Sequence, residues 1–409
     1  MTNRPKKAMV TAVPIETTKS KQLERNNEKG LSNVAEQIYL DYNATAPVRA
    51  EVIALVGEIM ATVGNASSVH ASGRKARERV DTARRQVADL VGAEPKNVIF
   101  TSGGTEADNL ALRGFQPRHL IVSGVEHGAV LAPALLLDAD ARIIDVDSHG
   151  RMDLAALEGA LADSDAPALV SLMLANNETG VIEPVVEAAD IAHAHGALVH
   201  CDGIQGAGKV AMDINELGID LLSLSAHKFG GPQGVGALVM REERAVLAQM
   251  VGGGQEMGRR SGTENVAGIA GFGEAARLAL GDLDQFAQLA GLRNDMEARL
   301  AQVAPGRKVI GGDVPRVPNT SCVTMPGVRS DTQVMALDLA GFSVSAGSAC
   351  SSGKVAASHV LEAMGMELDE AMTAIRISMG RGTTTDEVEQ FVAAWTQIYR
   401  RNSSHADAA

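Results

Sequence analysis

Cysteine is scarce in this chain: three in 409 residues cannot build a disulfide framework for a protein of this length. Long apolar runs are missing as well. None approaches the roughly 18 residues of a membrane-spanning helix, so no membrane partner is expected. Positive charge is in deficit, with 37 Lys and Arg against 50 Asp and Glu and a formal net charge of −13. That balance disfavours general affinity for nucleic acid or an anionic membrane, because both reward clustered cations. A small metabolite or a protein is the expected partner, and the cytoplasm the expected location. Residues 1–37 are polar and mixed in charge, with one short basic run, Arg4-Pro5-Lys6-Lys7, and no apolar stretch of the secretory kind. They read as a flexible N-terminal arm, and residues 401–409 as a flexible tail.

What the chain does have is material for a large core, 45% hydrophobic against 21% charged, at a length beyond which a single core stops growing. Two domains are therefore expected. Short apolar runs alternate with helical periods, the pattern of an α/β protein whose mainly parallel sheet is covered by helices. Strands are predicted over Val98–Phe100, Leu120–Ser123, Arg142–Val146, Ala168–Leu174, Leu198–Cys201 and Leu221–Leu224, with Gly234–Met240 returning antiparallel. Helices are predicted over Ala76–Val91, Ala155–Leu161 and from Glu183-Pro184 through Ala194. After Gly273 a long helical region runs to about Val303. A different rhythm follows, with strands over Asn319–Met325, Phe342–Ser345 and Thr373–Met379 and helices over Thr332–Ala340, Ser358–Met364 and Asp386–Arg400. That rhythm reads as a smaller α+β domain.

One lysine stands out. Ser225-Ala226-His227-Lys228 places it directly after the largely apolar stretch Ile219–Leu224 and before a glycine-rich turn. Burial there disfavours the ammonium form, and a neutral amine can join an aldehyde as a Schiff base. Most lysines at strand ends are simply solvated, so the neighbours decide. Asp202 ends a second apolar strand, suited to pairing with a pyridinium nitrogen. Ser102-Gly103-Gly104-Thr105-Glu106 follows a strand with a glycine turn and helix formers, and offers backbone donors to a phosphate. Arg376, flanked by Ile375 and Ile377, has the fork that holds a carboxylate bidentately. Cys350 sits in a run of small residues, Ser345 to Gly353, that reads as a mobile loop, whereas Cys201 and Cys322 lie inside apolar strand candidates and read as core. Lys354, close by, would favour the Cys350 thiolate.

These pieces, together with Tyr39 to Thr45, Glu126-His127, Asn176-Asn177-Glu178 and Arg260-Ser261-Gly262-Thr263, run in an order that resembles the cysteine desulfurases. These are fold-type I pyridoxal phosphate enzymes of the class V aminotransferase branch, and the resemblance covers nearly the whole chain. It implies a large domain over residues 65–273 with a mainly parallel seven-stranded sheet, a small domain with its helical connection over 274–400, and residues 38–64 joining the small domain. It implies Gly104, Thr105, Ser225, His227 and Thr263 as phosphate ligands, the last from the opposite subunit of a homodimer. It further implies His127 stacked on the ring and aiding proton transfer, Gln205 on the phenolate oxygen, Asn177 near that oxygen and the substrate, Asp202 on the ring nitrogen, and Arg376 on the substrate carboxylate. No metal is implied. Lys228 would move the α-proton of L-cysteine, and Cys350 would take its sulfur as a persulfide, leaving alanine. An acceptor such as an iron-sulfur scaffold protein would then receive the sulfur. The Cys350 loop resembles the longer version of the iron-sulfur and nitrogen-fixation group. Two spellings depart from the common ones, Gly64-Asn65-Ala66-Ser67-Ser68-Val69-His70 and Asp202-Gly203-Ile204-Gln205, and neither removes a chemical group. The alternative activity is a selenocysteine or cysteine sulfinate lyase, which shares the cofactor residues.

Overall fold

Strands buried at nearly every position must be covered on both faces, and such strands make up the central sheet except for its edge strand Arg142–Ile144. The computed structural model describes residues 37–115, 119–164, 167–347 and 357–406. Cys350 and Lys354 lie outside the described residues, as do residues 1–36 of the expected arm and 407–409 of the expected tail.

The large sheet has the order β2-β8-β7-β6-β5-β3-β4, built from β2 (Val98–Thr101), β3 (His119–Ser123), β4 (Arg142–Ile144), β5 (Ala168–Met173), β6 (Leu198–Asp202), β7 (Leu221–Ser225) and β8 (Gly236–Met240). Neighbours from β4 to β7 pair in parallel, and β8 runs against both β7 and β2. The period of two is visible in the packing. Val98, Phe100, Val170, Leu172, Leu222 and Leu224 enter one core, with helices Ala71–Leu90, Val185–Ala194 and Val266–Gly281. Ile99, Leu169, Leu221 and Leu238 enter the other, with helices Gly104–Gly114 and Gly128–Leu137.

A third core gathers Leu40, Ile375, Ile377, Phe391 and Trp395 around two small sheets. One is the antiparallel set β11-β12-β9, formed by Ser345–Ala346, Ala374–Ser378 and Thr320–Thr324. The other pairs β1 (Ile38–Tyr39) in parallel with β10 (Phe342–Ser343). The single strand expected over Phe342–Ser345 is thus two, because the chain changes partner at Val344, from Tyr39 beside Ser343 to Arg376 beside Ser345. The helical region after Gly273 is likewise broken, into Val266–Gly281, Leu283–Ala287 and Leu289–Val303. The first break falls at Asp282, whose carboxylate holds Arg49 at 2.7 Å and Arg381 at 3.0 Å. A helix not expected from sequence, Ala50–Met60, buries Val52 against the large core. The last helix runs Thr385–Ala406, past the expected end at Arg400; no Gly or Pro interrupts it, and Asn402 Nδ2 donates to the Ile398 carbonyl at 2.8 Å.

Candidate active site

Strands β2, β3, β5, β6 and β7 share one direction, so the loops at their carboxyl ends converge, the usual place for a ligand in an open α/β sheet. A cavity of ≈ 380 Å³ lies there. Gly104 and Thr105 reach it from the turn after β2, His127 from beyond β3, and Asn177 from beyond β5. Asp202 and Gln205 come from β6 and its turn, Ser225, His227 and Lys228 from β7 and its turn, and Arg376 from β12. Thr263 does not line the cavity and is exposed on its loop.

The helix Gly104–Gly114 starts at the cavity wall, so its first backbone N–H groups are available to an anion. Glycine at its first position leaves room for the Ile204 side chain, whose Cδ1 a Cβ on Gly104 would meet at 2.1 Å. Glu106 fastens this turn twice: it accepts from Ser102 N at 2.7 Å and binds Arg260 Nε at 2.8 Å, which ties the Thr263 loop to the helix start.

Asp202 is buried, accepts from Ile204 N at 2.9 Å and, among the described residues, takes part in no salt bridge. Burial raises its pKa, against the opposing pull of the Ile204 N–H, His127 and Lys228. A cationic ligand group would relieve that cost. His127 caps the helix Gly128–Leu137, its Nδ1 accepting from Ala129 N at 3.1 Å, which leaves the proton of the neutral ring on Nε2. Burial lowers its pKa, outweighing the attraction of Asp202. His227, bonded through Nδ1 to Thr45 Oγ1 at 3.1 Å, is pushed down to about 4 by burial and then by Lys228. Both rings are uncharged at neutral pH.

On β6, His200 is fully buried between Ser171 Oγ at 2.8 Å and Ser223 Oγ at 2.9 Å, with the buried Asp108 carboxylate 3.6 Å from its Nε2, and burial lowers its pKa to about 3. Its folded value lies below its unfolded value near 6.5, so this group's contribution is intact above that pH and is lost as pH falls toward 3. Unfolding free energy should therefore decline on acidification, by up to about 1.4 kcal/mol per pH unit from this group. Denaturant titrations across that range check it. A His200→Gln protein with an unchanged slope would refute the assignment.

The lysine amine rests on backbone from the N-terminal segment: Lys228 Nζ donates to the Asn43 carbonyl at 2.7 Å and the Ala44 carbonyl at 3.0 Å. Asn43 is a hub that nothing in its residue type announced. Its N–H donates to Ser378 Oγ at 3.0 Å, and its amide donates to Thr320 Oγ1 at 2.9 Å and the Asn177 carbonyl at 3.1 Å. Asn176 shapes that last turn, its Oδ1 accepting from Glu178 N at 2.9 Å and Thr179 N at 3.0 Å. The Asn177 carbonyl also receives Arg376 Nη1 at 3.0 Å, while Arg376 Nη2 meets Asp41 Oδ1 at 2.6 Å. Among the described residues Arg376 Nε is buried without a partner, which leaves donor capacity for a carboxylate. Of the cysteines, Cys201 and Cys322 are buried, and burial raises their thiol pKa values, that of Cys322 to about 12. Neither is a nucleophile at neutral pH.

The model of the class-V aminotransferase family matches residues 38–391, most of the chain. The chain belongs to this family. It is 43% identical over 368 residues to the "Cysteine desulfurase" of Cereibacter sphaeroides, covering 87% of this chain and 94% of that one. Among solved structures, the NifS-like protein from Rickettsia africae ESF-5 superposes with a TM-score of 0.83 at 34% identity, covering 89% of this chain and 99% of that one. "SspA in complex with cysteine" matches at 29% identity with a TM-score of 0.74, covering 84% and 98%. The fold is thus that of the fold-type I enzymes, whose cofactor is pyridoxal phosphate. The donor set fits that cofactor: a helix start for the phosphate, an amine for the aldehyde, and a buried carboxylate lacking a cation for the ring nitrogen.

Proposed function

We propose that the protein is a cysteine desulfurase, converting L-cysteine to L-alanine and passing the sulfur to an acceptor protein as a persulfide. The observation that carries this is the meeting of Lys228, Asp202 and Arg376 in one cavity, in a chain 43% identical to a cysteine desulfurase. When bound, pyridoxal phosphate supplies an electron sink that eases removal of the substrate α-proton. Gly104, Thr105, Ser225 and His227, which line the cavity, would hold the phosphate. Asp202 would pair with the ring nitrogen, the uncharged His127 would meet the ring, and Gln205 and Asn177 would serve the phenolate oxygen. Arg376, steadied by Asp41, grips the substrate carboxylate. Lys228 takes the α-proton. The Cys350 sulfur then bonds to the substrate sulfur as the carbon–sulfur bond breaks, with the electron pair and a proton going to carbon. L-cysteine and a thiol thus become alanine and a persulfide, with no outside oxidant.

A homodimer is part of this reading. Thr263 lies on an exposed loop near Met250, Val251 and Met257, and Val251 is 83% exposed, which suits a surface covered by a second copy. A sedimentation mass of one chain would refute it. The deciding experiment for the function is to supply L-cysteine and a reductant to the purified, yellow protein. Sulfide and alanine are expected in equal amounts; a yellow protein that forms neither refutes the reading. Cytoplasmic location and supply of sulfur to iron-sulfur cluster assembly belong to the same proposal.

A further inference from the structure

Lys209 is a buried amine that the mechanism above does not use. It is 3% exposed, and among the described residues no carboxylate lies within salt-bridge distance of it. Its Nζ instead donates to two neutral oxygens, Asn43 Oδ1 at 2.7 Å and Gln205 Oε1 at 2.5 Å. Both acceptors face the site. Gln205 lies four residues earlier, on the turn after β6, and lines the cavity. With its carbonyl end taken by Lys209, the amide must present its nitrogen, and Nε2 donates to the Asn43 carbonyl at 2.9 Å. That same carbonyl seats Lys228 Nζ.

We propose that Lys209 is a positioning residue: it orients the Gln205 amide as a donor toward the cofactor and, through the Asn43 side-chain oxygen, holds the residue whose carbonyl seats the catalytic amine. The inference rests on the cofactor reading given above. Burial holds the Lys209 amine well below the usual lysine range, with Lys228 and Arg376 adding to the effect, so it acts through the hydrogen bonds it donates and not through a charge. Without Lys209 the Gln205 amide is free to turn its oxygen to the cofactor's phenolate. That change favours the protonated form of the lysine–cofactor linkage.

The test follows the visible band of the bound cofactor against pH in the full-length protein loaded with pyridoxal phosphate. In Lys209→Met the band is expected to persist while its titration midpoint rises by roughly one pH unit, about tenfold in the protonation equilibrium. The value of kcat should fall by about the same factor, with KM little changed. Lys209→Arg, which keeps the donors and borders a second cavity of ≈ 260 Å³, should restore the midpoint. If Lys209→Met does not fold, Lys209→Gln gives the same reading. A lower melting temperature with an unmoved midpoint would make Lys209 merely structural and overturn the proposal. The titration involves no turnover, so a protein that ignores L-cysteine refutes the desulfurase reading alone, whereas unmodified protein that shows no cofactor band overturns both.

Discussion

Replacing Lys228 with alanine should abolish measurable L-cysteine turnover, with a loss of roughly four orders of magnitude, the upper end of what a positioned proton-transfer group supplies. On the proposed reading two functions leave together, since one nitrogen would both join the cofactor aldehyde and take the α-proton. The variant should still fold, because the amine donates to the Asn43 and Ala44 carbonyls at the cavity wall and the side chain belongs to no hydrophobic core cluster. Borohydride reduction of the loaded protein separates the two losses. It should fix the cofactor to the unmodified chain as a mass gain on Lys228 and leave the Lys228→Ala chain unlabelled. Turnover within tenfold of the parent would refute the assignment, as would labelling of another lysine in the unmodified protein.

Cys350→Ala should cost roughly a thousandfold or more in sulfide and alanine from L-cysteine, as loss of a covalent nucleophile does elsewhere, while the cofactor band stays as in the parent. The elimination behind this is physical. Cys201 and Cys322 are buried and their thiols are held protonated by burial, so neither can take over the attack. Measuring selenocysteine and cysteine sulfinate beside cysteine gives the result its meaning. If all three lose turnover alike, the thiol is general to the chemistry; if only cysteine does, the alternative lyases share the cofactor site but not the nucleophile. Undiminished cysteine turnover would refute the role of Cys350.

Much of the large sheet was legible because most of its strands are short, largely apolar runs, so Val98–Thr101 or Leu221–Ser225 could hardly be read otherwise. The helix Gly128–Leu137 was not legible. It carries Pro133 and ends in Leu135, Leu136 and Leu137, all exposed, so it has no polar face to mark a period. The cavity residues that follow strands could be located from local motifs, since each stands within a few positions of a strand end. Asn43, Asp41 and Lys209 could not, because their roles come from partners far along the chain, such as Asn43 with Thr320 or Asp41 with Arg376. The only local cue was Lys209 itself, a lone charge between Gly208 and Val210 four residues after Gln205.

The bond from Asn43 N–H to Ser378 Oγ spans 335 positions of sequence. A chain emerging from the ribosome exposes Lys228, Asp202 and the Gly104 turn long before it exposes Ser378 or Arg376, so the seat of the lysine amine is unfinished through most of synthesis. Order of synthesis thus puts completion of that seat after Ser378, near the end of the polypeptide.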